Sequence, residues 1–192
     1  MIFAQALLFL TQTLGNLFIV AALLRFMMQM FRVTFKNPFA QFIVAVTNFA
    51  VLPLRRVLPG FFGQDWASLM VAILVEFAVV LVGYWLMDFP FTLAGPRIWP
   101  IFLGLAGVRL ASLAVYLLIG LTLVQAVLSW VNPYSALMPV VTQLTAPFLR
   151  PLRRIVPTIA NVDLSPLVLI LILQILLIVP IQATERALLG LL

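Results

Sequence analysis

Residues 69–86 and 164–181 are each 18 residues long; the first holds one charged side chain, Glu76, and the second holds none. At about 1.5 Å of rise per residue, such a run makes a helix of roughly 27 Å, close to the thickness of a bilayer's hydrocarbon core. Only 8% of the chain is Asp, Glu, Lys or Arg, whereas soluble domains hold about 25%. The chain therefore reads as an all-α polytopic membrane protein, because a helix satisfies its own backbone polar groups inside lipid.

Histidine and cysteine are absent. Histidine-ligated zinc or haem, Ser-His-Asp catalysis, thiolate metal sites and thiol nucleophiles are thereby excluded. No catalytic residue, metal or cofactor is expected, so an enzyme is not. Met1 to Leu10 has no basic residue ahead of its apolar run and reads as the start of a membrane helix, not as a cleaved leader.

The chain repeats itself. Asn37-Pro38 recurs as Asn132-Pro133 and Thr47 as Thr142, both 95 residues on. After a three-residue insertion, Pro53-Leu54-Arg55-Arg56 recurs as Pro151-Leu152-Arg153-Arg154 at an offset of 98, which persists through Pro59/Pro157, Asp65/Asp163 and Leu69/Leu167. Ordered matches of this kind mark an internal duplication, with residues 1–90 as the first repeat and 91–192 as the second.

Each repeat reads as a long helix, a proline-bracketed linker and a second long helix. The four spans fall near Leu7–Met27, Trp66–Met87, Arg109–Val131 and Leu164–Gln182. All four tryptophans lie near span ends, Trp66 and Trp130 on one side, Trp85 and Trp99 on the other, as an interfacial belt requires. The linker segment 38–52 is apolar, but 15 residues give a helix of only roughly 22 Å. Crossing would also separate Arg32 and Lys36 from Arg55 and Arg56. A short re-entrant or interfacial helix is expected there, with a counterpart over 134–149 interrupted by Pro139 and Pro147. The basic residues concentrate in these linkers, so the positive-inside bias places both arginine pairs in the cytoplasm and both termini outside. Two spans per copy give the halves the same orientation, related by an axis along the membrane normal.

The arginine pairs can reach anionic lipid headgroups or cap helix C-termini. Asp65 and Asp163 can cap the following helix and pair with those arginines, with Ser165 and Pro166 also suited to a helix start. Alternatively, the pairs form a basic lip that recruits an anion or a partner protein. No interleaving of aromatic and basic residues suggests a nucleic-acid module, and none is expected as partner.

Glu76 falls near mid-membrane, where a carboxylate marks a pathway, an ion pair or a protonated acid. The offset of 98 carries it onto Gln174, which suggests a polar pair across the pseudo-twofold axis. Arg25 and Arg109 are alternative partners for Glu76, both placed near an interface and able to snorkel. Gln12, Asn16, Arg25, Gln29 and Arg32 fall in subsets at helical spacing on the first span.

The doubled set Asn-Pro, Pro-Leu-Arg-Arg-x-x-Pro, Asp and apolar span resembles the YggT family (YlmG-type proteins) from Leu14 to Ile181. The first copy departs in having Asp65-Trp66-Ala67-Ser68 where the second has Asp163-Leu164-Ser165-Pro166. The resemblance implies a multi-pass protein of the bacterial inner membrane, from a family with chloroplast relatives. Its members have been linked to osmotic-stress tolerance and potassium uptake, to cell division or nucleoid organisation, and to assembly of a plastid cytochrome complex. It marks Asn37, Pro38, Arg55, Arg56, Asp65, Asn132, Pro133, Arg153, Arg154 and Asp163 as signature positions without catalytic roles. Two functions are expected to compete: a scaffold, assembly or stress-related membrane factor with a protein partner or a second copy, and an oligomeric potassium or proton channel or transport component.

Overall fold

The computed structural model describes residues 2–58, 60, 64–156 and 163–192, so Pro59 and Pro157 of the arginine motif lie outside the described residues. Its elements are α1 (Ile2–Met30), α2 (Pro38–Val57), α3 (Trp66–Leu86), α4 (Phe91–Ala94), α5 (Ile98–Val131), α6 (Met138–Leu152), α7 (Ser165–Leu176) and α8 (Gln182–Leu189). A π-helical turn, Leu177–Ile181, joins α7 to α8. Among the described residues, five helical runs are long and apolar enough to cross a membrane: α1, α2, α3, α5 and the run Ser165–Leu189.

α1, α5 and the run Ser165–Leu189 outrun the expected spans, whereas α3 matches its own to within one residue. The helix expected over 109–131 begins at Ile98 and has 34 residues, because residues 98–108 are uncharged and largely apolar and Arg109, inside the helix, is paired with Glu185. α1 and α3 cross closely at Gly15, where a β-carbon would collide with Val79 Cγ2. Backbones approach this tightly in membrane bundles when a small residue stands at the crossing. Ile19, Ala22 and Leu23 of α1, Ala72 of α3 and Leu110 of α5 then form a buried layer. At the far end, Tyr84, Phe89, Phe91 and Phe102 stack at centroid distances of 4.9 to 5.7 Å and secure the connection between the repeats.

The linker helices differ from expectation in extent. α2 starts as predicted, with Asn37 Oδ1 accepting from the Ala40 amide at 2.7 Å and Pro38 in the first turn. It then passes through Pro53 to Val57, giving 20 residues where 38–52 was expected. Proline is compatible with helical φ and removes only one hydrogen bond, so Arg55 and Arg56 form the last turn of the helix instead of following it. At roughly 30 Å the helix is no longer too short to cross. Its contacts nevertheless return to one end of the α1–α3 pair. Ala40 and Ile43 pack with Met27 and Met28 at the end of α1, Phe49 reaches inward to Phe18 at 5.3 Å, and Arg55 comes back to Asp65 at the start of α3.

α6 runs over Met138–Leu152 instead of 134–149, with Pro139 opening it and Pro147 and Pro151 inside it. The three-residue insertion consequently lies before α6, not within it. Thr145, not Thr142, is the counterpart of Thr47: both are fully buried, and both bond the carbonyl four residues earlier. Asn132 is likewise no copy of Asn37, since its amide closes the C-terminus of α5 on the Leu128 carbonyl.

Candidate functional site

Two polar assemblies stand out against the apolar bundle. In the first, Arg25 is 4% exposed, not snorkelled to an interface. Its Nε lies 3.3 Å from Asp65 Oδ2, and its Nη1 donates to Thr47 Oγ1 at 2.8 Å and to Asn48 Oδ1 at 2.9 Å. Asp65 Oδ2 also accepts from Arg55 Nη2 and Ser68 Oγ, both at 2.6 Å. Asp65 gives no side-chain cap to α3, because its oxygen is taken up by the guanidinium groups. Burial alone would raise the Asp65 carboxyl, but the Ser68 hydroxyl and the Arg55 and Arg25 charges outweigh it and hold the group below the usual carboxylate range.

The second repeat builds the same corner with less charge. Arg153 Nε donates to Asp163 Oδ2 at 2.8 Å, and Asp163 Oδ1 accepts from the Ser165 amide at 2.9 Å. Here the aspartate does serve the helix start, with Pro166 in the first turn of α7. Burial again pushes the carboxyl up; the Ser165 and Arg153 hydrogen bonds hold it below the usual range. Where Arg25 stands in the first repeat, the second has buried Gln125, hydrogen bonded to Thr145.

Both corners occupy one face. Gln143 of α6 donates through Nε2 to the Phe31 and Arg32 carbonyls, both at 3.1 Å, and so ties the α1–α2 connection to the second repeat. Arg32, Lys36, Arg56, Arg150 and Arg154 are exposed there. Among the described residues, none of these five makes an ion pair. Pro38 is exposed at the start of α2, and Pro133 is exposed just after α5.

The second assembly is a cavity of about 310 Å³ bounded by α1, α3, α5 and the π-helical turn with α8. Glu76 lines it at 2% exposure, and its Oε2 makes no hydrogen bond among the described residues. Neither expected arginine bonds Glu76: Arg25 belongs to the other assembly, and Arg109 Nε lies 3.3 Å from Glu185 Oε1. Gln174 does not face Glu76 either. α7 and the π-helical turn bury Leu169, Leu173 and Leu177, a stripe at spacing four that leaves Gln174 exposed on the flank. Gln12 and Asn16 line the cavity, so the polar residues of α1 divide between the two assemblies. Sequence reasoning missed Glu185, which is 76 residues from Arg109, as well as Gln125, Thr145 and Ser68. The polar character of Gln125 inside an apolar span was the available signal.

The CCB3/YggT family profile matches residues 4–86 and 105–184. The uncharacterized protein YggT of Escherichia coli K12 is 38% identical over 173 residues, covering 89% of this chain and 87% of its own length. The uncharacterized protein PA0392 of Pseudomonas aeruginosa is 36% identical over 176 residues, 88% of this chain and 85% of its own. An uncharacterized Vibrio alginolyticus protein from the proC 3' region is 38% identical over 170 residues, 86% of this chain and 88% of its own. No solved structure matches.

Proposed function

The chain belongs to the CCB3/YggT family, and from that membership and its charge layout we propose that it is a non-enzymatic inner-membrane factor that docks a partner complex on one basic face. In this reading α1, α3, α5 and the run from α7 through α8 cross the bilayer, while α2 and α6 lie at a single interface. The return of both ends of α2 to one end of the α1–α3 pair supports this. The excess of arginine and lysine at that end makes it cytoplasmic and leaves both termini outside.

The observation that carries the proposal is a division of labour within each arginine pair. Arg55 and Arg153 hold aspartates, while Arg56 and Arg154 are exposed beside them without an ion pair among the described residues. With Arg32, Lys36 and Arg150 they form a face of five exposed cations without an ion pair among the described residues. Each contributes about 1 kcal/mol near an anionic membrane surface, and an acidic partner surface completes the same pairing. Soluble segments too small to fold alone leave the face itself as the recognition element.

Co-purification in mild detergent tests this. Wild type is expected to bring down a stoichiometric partner with an acidic surface, and Arg56→Glu with Arg154→Glu is expected to lose it while eluting as the same monodisperse species. Wild-type protein that purifies alone from several lipid backgrounds would sink the proposal.

A further inference from the structure

The cavity above Glu76 is independent of the docking face. Gln12 and Tyr116 are exposed at its rim, the side chains of Arg109 and Glu185 are 32% and 29% exposed, and Glu76 is buried within it. Two carboxylates and one guanidinium leave one negative charge uncompensated when all are ionised. Arg109 is engaged with Glu185, so an ionised Glu76 has no bonded counter-charge among the described residues.

Glu76 Oε2 makes no hydrogen bond among the described residues, which leaves it open to a cation as well as to a proton. The surroundings offer side-chain oxygens from Gln12, Asn16, Ser112, Tyr116 and Gln182. An all-oxygen ligand set suits a hard cation. A single unpaired carboxylate matches a monovalent ion better than calcium or magnesium, whose sites use more anionic ligands or substrate phosphates. At about 30 Å³ per water, the cavity holds roughly ten waters, so an ion keeps part of its hydration.

We propose that this cavity is a binding site for a partly hydrated alkali-metal cation, with Glu76 as its anionic ligand. It opens between Gln12, Arg109, Tyr116 and Glu185. Along α1 and α3, the buried layer of Ile19, Ala22, Leu23 and Ala72 lies between Glu76 and the Arg25–Asp65 cluster. The geometry is that of a blind pocket, and the π-helical turn at Leu177–Ile181 forms part of its wall, as such turns often do at functional sites.

The absence of native cysteine makes a direct test possible. Asn16→Cys is reacted, in purified protein, with a cationic and an anionic methanethiosulfonate of similar size, and modification is followed by intact mass. The cationic reagent is expected to react roughly tenfold faster, as a cleft of one charge sign concentrates counter-ions. Sodium or potassium chloride should slow it more than N-methylglucamine chloride at equal ionic strength. Both effects should vanish when Glu76→Gln is added and persist with Glu76→Asp. Equal rates for the two reagents overturn the proposal, as does slowing indifferent to the cation. A charge preference abolished by acid but untouched by alkali ions reduces the site to a proton-binding carboxyl and overturns it too. Gln12→Cys is a second reporter if Asn16→Cys does not fold. Arg56→Glu with Arg154→Glu should leave every rate unchanged, which separates this site from the docking face.

Discussion

Asp65 and Asp163 each follow an arginine partner by ten residues, yet the side chain of Asp65 is 1% exposed and that of Asp163 is 35% exposed. The same short motif therefore closes two different corners. In the first repeat, α1 contributes a second guanidinium from inside the bundle, and the aspartate must stay buried to neutralise it. In the second repeat Gln125 stands in the interior instead, no buried charge needs a partner, and Asp163 is released to hold the start of α7. A neutral residue in the core thus sets how much charge the surface motif has to manage.

The largest effect that can break this comparison is Asp65→Asn. It strands Arg25 without its carboxylate and should cost about 3–5 kcal/mol, the range for breaking a buried ion pair. Asp163→Asn should cost about 1 kcal/mol or less, as for an exposed pair. Reversible unfolding in mixed micelles measures both, and equal losses would erase the distinction between the corners. Arg25→Gln copies the second repeat into the first. Asp65 keeps Arg55 and Ser68, and glutamine can still bond Thr47, so a smaller loss of about 1–3 kcal/mol is expected.

Acid sharpens the contrast further. Both carboxyls are held below their usual range in the folded protein, so their stabilisation is complete above the unfolded value near about 3.9 and is lost as pH falls through the lower folded value. Unfolding followed below about pH 4 should therefore show an acid-sensitive limb. Asp65→Asn should remove most of it, and Asp163→Asn little. The smallest effect concerns the two Asn-Pro pairs. Asn37→Ala deletes a helix cap and should cost about 1 kcal/mol, whereas Asn132, which contributes its amide to the end of α5, should tolerate the same change with little loss in thermal midpoint.

Much of this was legible in the sequence. The apolar runs announced membrane helices, the duplicated Pro-Leu-Arg-Arg announced the corners, and their aspartates fell at a spacing that invited pairing. The errors arose where tertiary placement overrides local signals. Pro53 reads as a stop, but helical φ accommodates it and α2 continues to Val57. Arg25 reads as a residue within snorkelling reach of water, yet the middle of α2 and the residue before α3 bring Thr47, Asn48 and Asp65 around it. Gln174 inherits the depth of Glu76 from the repeat but not its direction, because depth follows sequence offset while direction follows the buried stripe of α7. The Arg109–Glu185 pair was invisible for a different reason: the π-helical turn shifts the helical phase before Glu185, so no regular periodicity aims that residue at α5.

The hydrogen bonds from Gln143 to the Phe31 and Arg32 carbonyls set a timetable for assembly. Arg32 precedes Gln143 by 111 residues, which at about 5–20 residues per second is a wait of roughly 6–22 seconds during synthesis. The first repeat thus enters the membrane and packs α3 on α1 while its own connecting segment still lacks the partner that fixes it. A ribosome stalled before α6 should hold a bundle half that is inserted but not yet latched.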